Sequence, residues 1–214
     1  MGFFSGKATV DGARVQAGRT SRHSSGWMQM LKHLKSQDSL RILDIGPTSA
    51  SNINFITNLG HSVYMANFVE DAARPEFVRK AAPDEDAKTV AHDVNAFLSQ
   101  YLDFGGRTFD VVTLWDTADF LPEAFLQPMI DRLYQVMEPG AQLLAFFHSK
   151  VNASDNSFSR YHLTDGDAID MQKVGGHAVV HAYTNRQIEG IFKEFASYRF
   201  FLAKDALREV IVTR

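Results

Sequence analysis

Short apolar runs alternate with stretches of helical periodicity along most of the chain. The apolar runs predict strands at 41–45, 62–66, 88–92, 109–114 and 141–147. Between and before them, apolar residues spaced three and four positions apart predict helices at 27–34, 51–59, 94–102 and 123–137. Strand and helix alternating in this way is typical of a parallel sheet with helices on both faces.

The last third of the chain departs from this alternation. Residues 150–180 are mostly polar and irregular, and Thr184 and Gln187 then have the spacing of a capping box, which predicts a helix. Two final apolar runs, within 197–214, are joined only by the sequence KDAL, so they must form an antiparallel hairpin. We therefore expect an α/β fold with a doubly wound, mostly parallel seven-stranded sheet, helices on both faces and an antiparallel C-terminal strand.

The domain organisation follows from length and local composition. With 214 residues the chain suffices for one substantial domain with a real core. Residues 1–26 are rich in Gly, Ser, Thr and Arg, which predicts a flexible N-terminal arm. The folded domain is expected over 27–214.

Charge and composition exclude several classes of protein. A net charge of −3 without a dense basic run disfavours nucleic-acid binding. The absence of cysteine excludes disulfides, thiolate metal sites and cysteine catalysis. The sequence HAVVH at 177–181 predicts a strand, so His177 and His181 do not share a helical face, which argues against a metal site. Without an apolar run of about 18 residues or a signal-peptide core, we expect a cytoplasmic protein that does not insert into a membrane.

Polar side chains that can bind a ligand follow each predicted strand. In an open parallel sheet, ligands bind at the edge formed by the carboxyl ends of the strands. The residues at these ends are Asp44, Gly46, Pro47, Thr48 and Ser49; Asn67, Glu70 and Asp71; His92, Asp93 and Val94; Trp115, Asp116 and Asp119; and His148 and Ser149. So many carboxylates and histidines along one edge predict a small-molecule site.

The glycine pattern after the first predicted strand discriminates between cofactors. Dinucleotide-binding loops carry G-x-G-x-x-G, so that the backbone can approach a pyrophosphate. Counted from Gly46, the second and third glycines are replaced by Thr48 and Ser51, which disfavours a nucleotide-dependent oxidoreductase. A cofactor without a phosphate needs only a tight turn at Gly46, an anion near the first strand and a polar group after the second for a ribose.

Four segments, in this order, carry a family resemblance. They are LDIGPTSASN, FDVVTLWDTADFL, LYQVMEPGAQLLAFFHS and the terminal REVIVTR. Together they resemble the class I S-adenosylmethionine-dependent methyltransferases, with a degenerate glycine loop, over roughly residues 27–214. The order of all four is more specific than any one of them.

The resemblance implies that S-adenosylmethionine is the cofactor and that the turn after the first strand binds its methionine part. Asp44 would orient the amino end, directly or through water, unless it only caps the following helix. Gly46 would allow close approach of the backbone, with Pro47 in the same turn. Thr48 stands where the family has its second glycine, so its side chain crowds that approach.

The resemblance also implies how the adenosine part is held. Asn67 stands at or near the acid that takes both ribose hydroxyls, and it lacks the charge that makes carboxylate hydrogen bonds roughly twice as strong. Asp93 would accept from the adenine amino group, with the backbone of Val94 alongside, although Asp93 could instead serve only as a helix cap. Trp115 or Asp116 would border the methionine end and the methyl acceptor.

His148 and Asp116 are the candidate catalytic residues. An imidazole suits proton removal at neutral pH, but a histidine at a strand end can equally serve only to bond the backbone. The sulfonium is already a strong electrophile, so alignment supplies most of the rate, and a base matters only if the acceptor must first lose a proton. Tyr161 and His162, in the irregular region, are further candidates to contact the acceptor.

Two functions remain open at this point. The first is methyl transfer from S-adenosylmethionine to an O, N or S nucleophile of a small molecule. The second, motivated by Thr48 and Asn67, is a catalytically inactive methyltransferase-like protein that binds or regulates a partner. The sequence identifies no methyl acceptor, and it leaves a homodimer open.

Overall fold

The computed structural model describes residues 18–72, 74–79, 91–151, 158–201, 203, 205 and 207–214. Within these ranges the strands are β1 (Arg19–His23), β2 (Arg41–Ile45), β3 (Ser62–Ala66), β4 (Val78–Arg79), β5 (Ala91–His92), β6 (Phe109–Trp115), β7 (Met137–His148), β8 (Phe158–His162), β9 (Ala168–Val174), β10 (Ser197–Phe201) and β11 (Leu207–Thr213). The helices are α1 (Ser25–Ser36), α2 (Ala50–Asn58), α3 (Val69–Ala72), α4 (Val94–Tyr101), α5 (Glu123–Val136) and α6 (Asn185–Ile191), with short 3-10 turns at Pro75–Phe77 and Thr117–Phe120.

The main sheet has the strand order β10-β11-β7-β6-β2-β3. The strands β3, β2, β6 and β7 are parallel, while β11 is antiparallel to β7 and β10 is antiparallel to β11. The predicted α/β class, mostly parallel sheet and antiparallel C-terminal hairpin are therefore confirmed.

The predicted number of seven strands is wrong for the described residues, which form six strands in the main sheet. The missing strand is the one expected at 88–92, of which 88–90 lie outside the described residues. Its described end, β5, pairs antiparallel with β4 in a separate two-stranded sheet. In the described residues β5 pairs with no strand of the main sheet, so it does not extend that sheet beyond β3.

Apolar side chains cover both faces of the main sheet, as expected for a doubly wound fold. On one face Leu43, Val112 and Leu143 pack against α4, α5 and α6. On the other face Ile42 and Leu144 pack against α1, α2 and the second sheet. Each strand of the centre therefore has to be apolar on both sides, which explains the continuous apolar runs in the sequence.

Several helix boundaries follow the local signals in the sequence. Gly60 ends the turn after α2 with a φ of +87°, a conformation that favours glycine. The capping box of Thr184 and Gln187 opens α6 as predicted. The helix α5 ends at Val136, and Pro139 already lies inside β7, so this strand begins four residues earlier than predicted.

A second, three-stranded sheet of order β1-β9-β8 was not predicted. Its strand β1 lies within the arm predicted for residues 1–26, and β8 and β9 lie within the segment predicted to be irregular. The sequence of β1 is polar, while β8 and β9 mix polar and apolar residues without the continuous apolar runs of the main sheet. Their burial comes from packing against α1 and β7 through Tyr161 and Ile169. Residues 1–17 lie outside the described residues, so the domain boundary itself stays a prediction.

The strand predicted at 177–181 is also wrong. This segment has no regular secondary structure, because the backbone N–H groups of Val180 and His181 both donate to the carbonyl of Asp119 at 2.8 and 3.1 Å. The segment therefore follows the edge of the main sheet rather than joining a sheet. No helix in the described ranges is long and apolar enough to cross a bilayer.

Candidate active site

The carboxyl ends of three neighbouring strands bring the predicted residues together. In the order β7-β6-β2 these ends carry His148, then Trp115 and Asp116, then Asp44 and the turn at Gly46. The strand β3 next to β2 leads to Asn67. The edge predicted to form a small-molecule site therefore exists.

Asp44 lies at the centre of this edge and is 2% exposed. Its Oδ1 accepts hydrogen bonds from Thr113 Oγ1 at 2.6 Å and from Trp115 Nε1 at 2.7 Å. Burial raises the pKa of Asp44, and the donors Thr113, Thr48 and Trp115 oppose that rise. Its Oδ2 has no hydrogen-bond partner, so half of the carboxylate is available to a ligand.

The turn at Gly46 connects β2 to α2 and requires glycine. Gly46 has a φ of +147°, and its N–H donates to the carbonyl of Ala66 at 2.8 Å. A Cβ atom at this position would stand 3.3 Å from Trp115 Cδ1. The first turn of α2 is capped by Ser49, whose hydroxyl accepts from Asn52 N–H at 3.3 Å, so Asp44 is not the cap of this helix.

Thr48, the residue in place of the family's second glycine, has a buried hydroxyl. This hydroxyl is close enough to Asp44 to lower the pKa of the carboxyl, but it forms no hydrogen bond of standard geometry. The side chain therefore points a polar atom into the site rather than only crowding it.

Trp115 has a backbone conformation that bulky residues rarely adopt. Its φ is +49°, and such outliers persist only where the surroundings enforce them. Three contacts do so here: the indole N–H bond to Asp44, a stack on the ring of Tyr161 with centroids 4.9 Å apart, and an edge contact with Phe146. The strained residue thus presents a fixed aromatic wall beside Gly46.

Asp116 and Tyr161 form a buried pair below this wall, and each is 2% exposed. Burial raises the pKa of Asp116 to about 7, while His148 lowers it and Asp119 raises it further. The Tyr161 hydroxyl faces Asp116, yet neither this hydroxyl nor Asp116 Oδ1 has a hydrogen-bond partner of standard geometry. A carboxyl that titrates near neutral pH is a candidate acid or base.

His148 is held by Asp119, a residue of the edge for which no role was predicted. Asp119 Oδ2 accepts from the backbone N–H of His148 at 2.6 Å and from its Nδ1 at 2.7 Å. Burial raises the pKa of Asp119 to about 6, and these bonds to His148 oppose the rise. With Nδ1–H donating to Asp119, Nε2 is the nitrogen of neutral His148 that can accept a proton.

The second sheet packs directly over the turn at Gly46. Arg160 Nε donates to the Pro47 carbonyl at 3.1 Å, and Asn52 Nδ2 donates to the Tyr161 carbonyl at 2.7 Å. His162 Nδ1 hydrogen-bonds with the hydroxyl of Ser49 at 3.2 Å. Tyr161 therefore reaches the site, whereas His162 fastens the sheet to the start of α2.

Comparison with solved structures identifies the fold. The PH0226 protein of Pyrococcus horikoshii OT3 is similar with a TM-score of 0.50 and 13% identity, over 88% of each chain. An S-adenosylmethionine-dependent methyltransferase from Methanosarcina mazei has a TM-score of 0.48 and 15% identity, over 86% of this chain and 96% of that one. One from Clostridium acetobutylicum has a TM-score of 0.47 and 11% identity, over 87% and 89%. No protein-family model and no curated protein sequence matches the chain.

The strand order and these comparisons agree. The chain shares the fold of the PH0226 protein. In this fold, Gly46 lies in the turn after β2, a parallel strand of the main sheet, as the resemblance in sequence implied.

The residues predicted to hold adenosine are more exposed than the residues around Asp44. Asn67 directly follows β3 and is exposed. Asp93 is exposed and caps α4 by accepting from Ala96 N–H at 3.0 Å, so its alternative role as a helix cap is confirmed. Val94, the first residue of α4, is half-buried. The structure therefore divides the predicted site into an exposed part and a buried part.

Most of the buried polar side-chain atoms without a hydrogen-bond partner belong to residues in the buried part of the predicted site. Nine such side-chain atoms occur among the described residues, and five of them belong to Asp44, Thr48, Asp116, Asp119 and Tyr161. Two more, on Arg22 and Glu209, face each other in an ion pair at 2.7 Å. Native proteins leave few buried polar groups unpaired, so this cluster of five distinguishes the buried part of the predicted site from the rest of the described residues.

The raised pKa of Asp116 predicts a pH dependence of stability. Between its ordinary value of 3.8 and about 7, folded Asp116 keeps a proton that the unfolded chain releases, so this residue makes the fold less stable as the pH rises. Relative to Asp116→Asn, the wild type should lose up to about 1.4 kcal/mol of unfolding free energy per pH unit within this window. Urea unfolding of both proteins at several pH values measures the difference; parallel curves would contradict a raised pKa.

Proposed function

We propose that this protein binds S-adenosylmethionine along the carboxyl edge of its sheet and transfers the methyl group to a nucleophile of a small molecule. The observation that carries the proposal is the group of unpartnered buried atoms on Asp44, Thr48, Asp116, Asp119 and Tyr161, in a methyltransferase fold. The free oxygen of Asp44 and the hydroxyl of Thr48 fit the methionine end of the cofactor, because they can accept from its ammonium, while the atoms of Asp116, Asp119 and Tyr161 lie beyond that end.

The turn at Gly46 suits the methionine end. Asp44 Oδ2 accepts from the ammonium, while Oδ1 stays bonded to Thr113 and Trp115. Gly46 and Pro47 bring the backbone close, and Thr48 supplies a hydroxyl. The start of α2 favours the negative carboxylate, because the partial positive charge of a helix lies at its N-terminus.

The exposed part of the edge suits the adenosine. Asn67 accepts from a ribose hydroxyl through its carbonyl oxygen, and Asp93 accepts from the adenine amino group, with the backbone N–H of Val94 alongside. Asp93 keeps acceptor capacity beside its role as cap of α4, because a carboxylate has about four lone-pair sites. Without a carboxylate at position 67, the affinity should depend strongly on Asp44.

The aromatic wall and the His148–Asp119 pair suit the transfer itself. S-adenosylmethionine, when bound, supplies a methyl group on a positively charged sulfur. Trp115 presents an aromatic ring, whose face attracts a cation. Asp119 fixes His148 through Nδ1, so that Nε2 can take a proton from the acceptor, and Asp116 holds or releases a second proton near neutral pH.

A binding protein without catalysis is the second candidate, and one observation favours it. Arg160, His162 and Asn52 fasten the second sheet over the turn at Gly46, and Trp115 is buried beneath it. A site that stayed closed in this way would admit no cofactor. The protein would then use this fold only to present a surface to a partner.

Thermal unfolding with two ligands separates these candidates. S-adenosylhomocysteine at about 100 times its dissociation constant should stabilise the protein by about 2.7 kcal/mol. For a chain of this size that corresponds to a rise in Tm of roughly 5–10 °C. NAD⁺, at the same concentration, should have no effect because the loop lacks two glycines. A constant Tm with both ligands would support the binding protein instead.

A further inference from the structure

Beyond the cofactor, the site contains two buried carboxyls and a phenol that the methionine end does not use. We propose that the methyl acceptor is a small amine, which binds in its ammonium form between Asp116, Asp119 and the hydroxyl of Tyr161. This inference rests on the proposed function, since it concerns the acceptor of the same methyl transfer. It selects the N nucleophile from the classes O, N and S.

The first support is the uncompensated acidity of this place. Asp116 and Asp119 are 2% and 0% exposed, and each has one oxygen without a hydrogen-bond partner. In the described part of the chain, His148 forms an ion pair with Asp119, and neither aspartate pairs with a lysine or an arginine. Burying two carboxyls is costly unless a cation or donors compensate them, and an ammonium supplies both.

The second support is independent of the carboxyls and comes from Tyr161. Its side chain belongs to the second sheet, yet its hydroxyl faces Asp116 and has no hydrogen-bond partner of standard geometry. Its ring stacks on Trp115 with an angle of 12° between the planes. A buried phenol oxygen beside an aromatic pair gives an ammonium one more acceptor and attraction to the rings.

Other acceptor classes fit this place less well. A carboxylate, phosphate or thiolate would bring a third negative charge next to Asp116 and Asp119. A neutral alcohol can donate one hydrogen bond, which leaves the second carboxyl oxygen unpartnered. An ammonium donates up to three, which matches the free oxygens of Asp116, Asp119 and Tyr161.

The chemistry balances with these residues. The bound ammonium gives one proton to the carboxylate of Asp116, which leaves a neutral amine with a lone pair. That lone pair forms the new N–C bond, while the S–C bond breaks and its electron pair stays on sulfur as a thioether. The product leaves as the N-methylated acceptor in its ammonium form, and Asp116 returns its proton to solvent.

One small amine, one small alcohol and one small carboxylate show which chemical class the site binds, without knowledge of the full acceptor. Ethylammonium, ethanol and acetate are titrated separately into the protein saturated with S-adenosylhomocysteine, at a pH of about 8 and constant ionic strength. The indole N–H resonance of Trp115 reports binding, and Trp27→Phe assigns it, because the chain has two tryptophans. The addition of S-adenosylhomocysteine is followed first in the same sample, so that failure of the proposed function is seen separately.

We expect ethylammonium alone to shift the Trp115 resonance in a saturable way. Asp116→Asn should weaken this binding by about tenfold or more and leave the affinity for S-adenosylhomocysteine unchanged. Asp38→Asn, which removes an equal charge at an exposed position, should change neither. A shift with acetate or ethanol but not with ethylammonium, a shift with none of the three, or equal ethylammonium binding in Asp116→Asn would overturn the inference.

Discussion

Replacing Asp44 with asparagine should lower the affinity for S-adenosylhomocysteine by about a hundredfold. The amide oxygen of asparagine can keep the hydrogen bonds from Thr113 and Trp115. Its NH₂ group then takes the place of Oδ2, so that the ammonium of the ligand meets a donor where it needs an acceptor. The Tm should stay equal or rise, because the variant removes a carboxyl whose ionised form is disfavoured by burial.

Asp110→Asn is the matched control for this variant. Asp110 lies at the opposite end of β6, where Arg41 N–H donates to it at 2.8 Å, so it belongs to the same sheet but not to the site. Calorimetric titration of both variants should show the loss of affinity only at position 44. Equal affinity in Asp44→Asn would remove Asp44 from the cofactor site, and an equal loss in Asp110→Asn would indicate a general effect on the fold.

Replacing Arg22 with methionine should lower the free energy of unfolding by about 3–5 kcal/mol. Arg22 joins the second sheet to the main one, because its guanidinium pairs with Asp205 at 2.7 Å and with Glu209 at 2.7 Å. The side chains of Arg22 and Glu209 are 7% and 1% exposed, so the variant leaves a buried carboxylate without its cation. The Tm should fall by roughly 6–20 °C.

Two further variants distinguish the effect of losing the buried Arg22–Glu209 ion pair from the effect of losing one positive charge. Arg186→Met removes an exposed arginine and should change the unfolding free energy by no more than about 0.5 kcal/mol. Arg22→Met combined with Glu209→Gln should recover part of the loss, because no buried charge then stands unpaired. If the double variant is no more stable than Arg22→Met, the pair with Glu209 is not what stabilises this junction.

The main sheet could be predicted because local sequence patterns identify its strands. The runs at β2, β6 and β7 are apolar on both faces, and Gly60 and the Thr184–Gln187 capping box mark a helix end and a helix start. The second sheet could not be predicted in this way. Its strands lack continuous apolar runs, and packing through residues such as Tyr161 buries them.

The residues of the candidate site also divide into those that a local sequence pattern predicts and those that only packing brings together. Asp44 and Gly46 were predictable because a sharp turn needs glycine and an acid precedes it in the sequence. The contacts that orient Asp44 depend on strand register, since Asp44 lies opposite Thr113 in the sheet. No local sequence pattern predicts the positive φ of Trp115 or the stacking of Tyr161 on Trp115, because both result from the second sheet packing over the turn at Gly46.

The exposed part of the site was predicted from the resemblance alone. The structure places Asn67 at the end of β3 in the main sheet and Asp93 after β5 in the separate two-stranded sheet, and their contacts with a cofactor stay a prediction. Asp93 shows why residue type is a weak guide here. The same carboxylate that is proposed to accept from adenine also caps α4.

Isothermal titration of the purified protein with S-adenosylmethionine and S-adenosylhomocysteine, after removal of any co-purified ligand, measures directly whether the protein binds this cofactor. We expect one site with a dissociation constant in the micromolar range, and loss of that binding in Asp44→Asn. Absence of binding at millimolar ligand in a folded sample would contradict it, and would mean that the second sheet keeps the turn at Gly46 closed.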